Sequence, residues 1–221
     1  MNNYLERLET LLDKNTIKTL SEKKVLICGV GGVGSFAAEG LARSGIGNID
    51  ICDYDIIVPS NLNRQLMTTK NNIGKKKVEV LKERLEEISD TRVNTIDTYI
   101  DETFELKDYD YVIDCIDSIK SKYELIKKAH NKNIPIISCL GTAKRLSSKG
   151  LTYTTLENTR NDPLAKAFRS LVKKEKYKKK IKVVYIDSEY IKSKELGSCI
   201  FSTGAAGLFI AETVFKELIK K

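Results

Sequence analysis

Residues Val25 to Ala42 read VLICGVGGVGSFAAEGLA, an apolar run that enters a glycine-rich turn and leaves it as a stretch of small residues. Few folds accept that succession. A short apolar run fits a strand covered on both faces, as in a parallel sheet. Gly29, Gly31 and Gly34 give the spacing G-x-G-x-x-G where the strand becomes a helix. Glycine permits a tight turn and close backbone approach, and the first N–H groups of a helix lack intrahelical partners. The turn therefore predicts a phosphorylated ligand on Gly29, Gly31, Gly32 and Gly34.

The pattern around the turn repeats. Apolar strands are predicted at Lys24–Cys28, Ile49–Cys52, Val93–Thr98, Tyr111–Cys115 and Ile134–Ser138, with helices between them near 35–44, 75–88 and 121–131. Val78, Leu81, Leu85 and Ile88 form one stripe at helical spacing. Strands alternating with amphipathic helices imply an α/β fold, a doubly wound and mostly parallel, Rossmann-like sheet with right-handed crossovers. After Gly141 the alternation loosens into a mixed, less regular C-terminal half. There we expect strands at Leu151–Leu156 and Val183–Ile186, with a polar loop from Asp187 to Gly197. Asp162 and Pro163 read as the cap and first residue of a helix, and a last helix is expected from about Ala205 to Leu218. Residues 1–22 read as a helical arm ahead of a single domain, 23–221, whose portion from about 142 would serve substrate binding.

Several chemistries lack material. The five cysteines (Cys28, Cys52, Cys115, Cys139, Cys199) form no C-x-x-C pair, and the first four sit in or beside apolar runs, where reduced cysteine packs as a small hydrophobe. No zinc site is expected. The single histidine, His130, reads as a solvated helix-end residue, so neither Ser-His nor Cys-His catalysis is expected. The start of the chain is amphipathic rather than basic then apolar. The apolar stretch Gly204–Phe215 carries Glu212 and is shorter than the roughly 20 residues of a membrane span. A cytoplasmic protein with no membrane association is expected.

The segment beyond the turn decides the nucleotide. Asp53 ends the next strand, 19 residues past Gly34, where a carboxylate would accept from ribose hydroxyls. Those features alone suit a dinucleotide and hydride transfer. The next loop, DYDIIVPSNLNRQLM, adds Asn61, Arg64 and Gln65, and Lys77 opens the following helix. Two more cations aimed at one phosphate site favour a triphosphate, on which charge builds during transfer. Asp117, in VIDCIDS, stands where a Mg²⁺ ligand would be useful, at the carboxyl edge of the sheet.

GVGGVGS, DYDIIVPSNLNRQ, IGKKKVEVL and DCIDS, in this order, resemble the ubiquitin-activating-enzyme-like superfamily, which includes the bacterial activators of thiamin and molybdopterin sulfur carriers. The resemblance covers residues 25 to about 140. It implies ATP-dependent adenylation of a carboxylate. Gly31 and Gly34 would line the phosphate turn, Asp53 would bind ribose, Asn61, Arg64 and Lys77 would contact phosphates, and Asp117 would hold Mg²⁺. It further implies a homodimer in which Arg7, from the N-terminal arm at the interface, acts in trans on the other subunit's site. Arg64, Lys77, Asp117 and Arg7 would then be the catalytic set.

Within that superfamily the stretch NDPLAKAFRSLVKK, with GIGNIDICDYDIIVPSNLNRQ, resembles the tRNA threonylcarbamoyladenosine dehydratase branch, and the two C-x-x-C pairs usual in sulfur-carrier activators are missing. That branch activates the threonine carboxylate of a modified adenosine beside the anticodon, and ring closure expels AMP. The charge distribution is an independent observation. Between Arg160 and Lys182 there are ten basic and two acidic residues, equal to the whole net charge of +8. Phosphate contacts with tRNA are expected from Arg160, Lys166, Arg169, Lys173 and Lys174, with Arg160 and Arg169 flanking the helix. The alternatives are an activator of the C-terminal glycine of a ubiquitin-like sulfur carrier, an NAD-dependent oxidoreductase, and a non-catalytic RNA-binding dimer.

Overall fold

The structure, a computed structural model, describes residues 4–220. After α1 (Glu6–Glu9) and α2 (Lys14–Glu22) the chain alternates: β1 (Lys24–Cys28), α3 (Gly34–Arg43), β2 (Asn48–Cys52), α4 (Lys77–Ile88), β3 (Arg92–Ile96), β4 (Tyr111–Asp114), α5 (Ile119–Asn131) and β5 (Ile136–Cys139). Then come β6 (Leu151–Thr155), α6 (Pro163–Lys174), β7 (Lys182–Ile186) and α7 (Ile200–Leu218). The sheet order is β3-β2-β1-β4-β5-β7-β6, with β6 alone antiparallel, to β7. The doubly wound sheet and the mixed C-terminal half are as the sequence predicts. The order of winding reverses between β1 and β4, which opens a crevice at their carboxyl ends.

Both faces of the sheet are covered, which explains why the central strands carry apolar residues in succession. On one face Ala38, Leu41, Leu81, Ile210 and Val214 from α3, α4 and α7 pack on Val25, Ile27 and Ile113. On the other, Leu125, Ile126 and Phe168 from α5 and α6 pack on Leu26, Val112 and Ile136. No helix among the described residues is long and apolar enough to cross a membrane.

Several boundaries differ from expectation by one to five residues. Helix α7 begins at Ile200 rather than near Ala205, because Cys199 holds the extended N-cap position and its carbonyl accepts from Thr203 N–H. Strand β3 stops at Ile96, whose carbonyl takes the last rung from Asp53 N–H.

Helices α3 and α7 run side by side in the same direction. A Cβ on Gly207 would lie 2.3 Å from Val33 O, and one on Gly40 would lie 3.2 Å from Ala211 Cβ. Missing side chains thus let the two helices approach closely, and both N-termini arrive at the glycine turn.

Candidate active site

The turn after β1 crosses the mouth of the crevice. Gly29 has φ +83°, and a Cβ there would lie 2.7 Å from Cys115 O, at the end of β4. A Cβ on Gly34 would lie 1.9 Å from Gly29 O. These two positions exclude any side chain because of the turn itself. Gly31 differs, since a Cβ there would touch only Gln65 Nε2, at 3.7 Å. The protein leaves the space above Gly31 open. Gly32 lies beneath Thr203 Oγ1 and Arg64 Cγ, which a Cβ would meet at 3.1 and 3.2 Å.

Asp53 braces this turn from β2. Its Oδ2 accepts from Val30 N–H at 2.8 Å and its Oδ1 from Asp55 N–H at 2.9 Å. Burial pushes its carboxyl above the usual aspartate range, against the pull of nearby Lys77. A carboxylate offers about four acceptor sites, so capacity remains for ligand hydroxyls. Lys77 opens α4 with its side chain nearly buried, and its Nζ donates to Asp55 Oδ2 at 2.6 Å. Asp55 is a site residue that the sequence motifs do not single out. The signal was present in the repeat DYD, with Asp53 and Asp55 on either side of Tyr54.

The loop between β2 and α4 shapes itself. Asn61 is buried in a 3-10 turn, Pro59–Asn61, and its Oδ1 accepts from Val58 N–H. Arg64 folds onto its own loop, with Nη1 donating to Ser60 O at 2.7 Å and to Asn63 Oδ1 at 2.9 Å. Gln65 is buried beside Gly31, and its Oε1 has no hydrogen-bond partner among the described residues. An orphaned buried acceptor costs free energy unless a ligand satisfies it. The open cradle and this acceptor fit a nucleotide.

VIDCIDS contains two acids with opposite situations. Asp114 is fully buried with Lys122, whose Nζ lies 3.0 Å from Asp114 Oδ2, and Ser138 Oγ donates to the same oxygen. Asp117 is exposed, just ahead of Ser118, which caps α5. Asp55, burial and Asp117, in that order, push the Tyr54 phenol up, and the Tyr54 ring meets Tyr99 edge-on at 5.1 Å. No cluster of three or more metal-ligating side chains exists among the described residues. A dedicated cage is not what Mg²⁺ needs, since it binds through one or two carboxylates with water and phosphate oxygens.

Arg7 and the basic segment lie elsewhere. Helix α1 is anchored by Leu5 against Gly45, in the loop that enters β2. Arg7 is therefore exposed at the amino edge of the sheet, away from the turn of its own chain. Asp162 caps α6 through Leu164 N–H and accepts from Gly141 N–H at 2.8 Å, tying the start of α6 to the carboxyl end of β5. Arg160 and Lys166 are thus on the site's edge. The 12 residues of α6 then carry the chain about 18 Å away. Lys173 and Lys174 fall at the amino edge, where Lys179 Nζ donates to His130 O. Arg169 lies inside α6 rather than flanking it, because the helix continues to Lys174, and its guanidinium turns back to Thr159. Lys166, Arg169 and Lys173, spaced i, i+3 and i+7, follow one face along the length of α6.

His130 is not solvated. It is half-buried, its Nδ1 is hydrogen-bonded to the Tyr177 hydroxyl, and burial together with the charge of Lys179 lowers its pKa. The strand-end cysteines are packing groups, as burial raises Cys28 and Cys115 well up and Cys139 to about 12. One residue at the edge of the site carries no signal in the sequence. Arg145 is buried, and it donates to Gly141 O, Ala143 O, Asn161 O and Ser188 O, knotting three loops.

The model of the ThiF family matches residues 4–220. The chain belongs to the ThiF family. Among ThiF-family relatives, it is 38% identical over 200 residues to a tRNA threonylcarbamoyladenosine dehydratase of Bacillus subtilis, covering 88% of this chain and 79% of that one. It is 34% identical over 200 residues to the enzyme of that name in Escherichia coli, covering 88% and 71%. A crystal structure of the E. coli enzyme in complex with ATP superposes with a TM-score of 0.88 at 27% identity, over 98% of this chain and 94% of that one. The ThiF likeness therefore runs through the C-terminal half as well as the glycine turn.

Proposed function

We propose that this chain is an ATP-dependent carboxylate-adenylating enzyme that converts threonylcarbamoyladenosine in tRNA to its cyclised, dehydrated form. The observation that carries the reading is the open cradle over Gly31 with Arg64 and Lys77 beside it, in a chain similar along its length to two such dehydratases.

In this reading Gly29, Gly31, Gly32 and Gly34 carry the phosphates of ATP, Asp53 and Gln65 face the nucleoside, and Asn61 shapes the loop. The substrate carboxylate oxygen attacks the α-phosphorus and pyrophosphate leaves. Arg64 swings from Ser60 and Asn63, and Lys77 from Asp55, toward the charge that develops. Donors brought onto developing charge contribute up to about 3 kcal/mol each to transition-state stabilisation, on the scale of oxyanion-hole deletions. Mg²⁺, which Asp117 would hold, would supply further neutralisation of phosphate charge. A nitrogen of the same modified side chain then attacks the acyl-adenylate carbonyl and AMP leaves. Proximity makes a protein nucleophile unnecessary.

Arg7 stands away from its own chain's turn, so its role requires a homodimer in which the described part of the arm, residues 4–22, lies at the interface and Arg7 completes the partner's site; residues 1–3 of the expected arm lie outside the described residues. Residues from about 142 onward bind the tRNA, with Arg160 and Lys166 near the reacting groups, Arg169 holding the loop before α6, and Lys173 and Lys174 touching more distant phosphates.

The test is mass spectrometry of nucleosides from tRNA incubated with the protein, ATP and Mg²⁺. An ATP-dependent loss of one water from threonylcarbamoyladenosine is expected, and Arg64→Ala abolishes it, with AMP release falling at least 100-fold and the fold intact. An unchanged nucleoside profile from a folded, ATP-binding protein would overturn the reading in favour of a carrier-protein activator, for which pyrophosphate exchange would require a small protein ending in glycine.

A further inference from the structure

A groove of about 550 Å³ lies between the start of α6 and the loop that leaves β7, lined by Asn161, Pro163, Lys166, Arg169 and Tyr190 among others. Its volume is that of a small-molecule site. It belongs to the carboxyl edge of the sheet, because Asp162, at the base of the groove, bonds to Gly141 just past β5.

Tyr190 is 36% exposed in the loop that leaves β7. Its ring is nevertheless held from beneath. The Arg145 guanidinium carbon stands 5.9 Å from the ring centroid, within cation–π range. Arg145 is 5% exposed and reaches the carbonyls of residues 141, 143, 161 and 188, so it links the ring to the end of β5 and to the cap of α6. Its Nε has no partner among the described residues. A fixed aromatic face, open on its outer side and flanked by Lys166 and Arg169, is the arrangement by which proteins hold an unpaired base and its phosphate. The carboxylate of Asp162 is committed to the α6 cap and Gly141, and does not oppose a phosphate across the groove.

We propose that Tyr190, supported by Arg145, is a stacking platform for a nucleobase of the RNA substrate, and that Lys166 holds an adjoining phosphate. The inference rests on the tRNA reading of the function. It adds a selective element to the site, because stacking needs an unpaired base and so prefers a loop to a duplex.

The experiment is binding of a labelled RNA stem–loop carrying threonylcarbamoyladenosine, titrated at several salt concentrations, beside ATP-dependent conversion of the same RNA. Tyr190→Ala is expected to weaken RNA binding about five-fold or more. The slope of log Kd against log salt should stay unchanged, since no cation is lost. Tyr190→Phe should restore binding, because it keeps the ring. Lys166→Ala should lower the salt slope by about one. The KM for ATP should be unmoved in all three. Wild-type affinity in Tyr190→Ala, while the wild type converts the RNA, would overturn this inference and leave the functional reading standing. RNA that the wild type binds but does not convert would break the functional reading, and Tyr190→Ala would still test the stacking. No binding by the wild type would overturn both.

Discussion

Lys77 Nζ lies 2.6 Å from Asp55 Oδ2, and the two partners are unequally placed, with the lysine side chain 7% exposed and the carboxylate 47%. The cation is therefore parked beside the phosphate turn by an acid that faces solvent. In the proposed reading, a triphosphate arriving over Gly31 competes with Asp55 for this ammonium.

Asp55→Asn removes the competitor and leaves Lys77 desolvated without its hydrogen-bonded carboxylate, with only the more distant pull of Asp53. Uncompensated charge is costly, so the ATP-free protein should melt a few degrees lower than wild type. ATP should then raise the melting temperature of the variant by more than it raises that of the wild type. Thermal unfolding with and without ATP checks this, and equal shifts in the two proteins would contradict it.

The two acids of VIDCIDS should separate stability from chemistry. Asp114→Ala strands the fully buried Lys122 and should cost about 3–5 kcal/mol. Asp117→Ala touches an exposed side chain and should change stability by less than about 0.5 kcal/mol, while reducing AMP formation at least 100-fold. Denaturant unfolding beside an AMP assay reads both.

The glycines of the turn should divide in the same way. Gly34→Ala drives a methyl group into Gly29 O and should prevent the native turn from forming. Gly31→Ala meets only ordinary contact and should leave unfolding near wild type. Its methyl group occupies the cradle, so ATP affinity measured by calorimetry should fall at least ten-fold. A Gly31→Ala protein that binds ATP normally would show that phosphate does not approach there.

Glu217 sets an acid limit on stability. Burial pushes its carboxyl up, but hydrogen bonds from Lys182, Tyr153 and Tyr111 outweigh that and hold it below the usual glutamate range. The native state thus binds its proton more weakly than the unfolded chain. The stabilisation is complete above about pH 4.3, the unfolded value, and is lost as pH falls through the lowered native one. Glu217→Gln should flatten the stability profile in that window, and parallel profiles for the two proteins would refute the assignment.

Much of the fold and the glycine turn is readable in the sequence because it is local. The glycine spacing, the alternation of apolar strands with amphipathic helices, and the Asp162-Pro163 cap each depend on neighbours within one or two elements. The features that escape depend on contacts made after folding. The partnership of Lys77 with Asp55 joins the start of α4 to the loop after β2. Burial of Asp114 rather than Asp117 comes from Lys122 one helical turn into α5 and from Ser138 on β5. The charges of residues 160–182 look continuous in the sequence, yet α6 distributes them to opposite edges of the sheet. Arg145 carries no motif at all, since its four acceptors are backbone carbonyls.

The close packing of α3 on α7 has a consequence for the order in which the molecule comes into being. The glycine turn is made early in synthesis, but Thr203 stands over Gly32 and Gly207 seats against Val33. A nascent chain that has delivered the first five strands holds the glycines, Asp53 and Lys77, and still lacks the wall that closes the turn. The turn is therefore complete only once α7 has been made and has packed against α3.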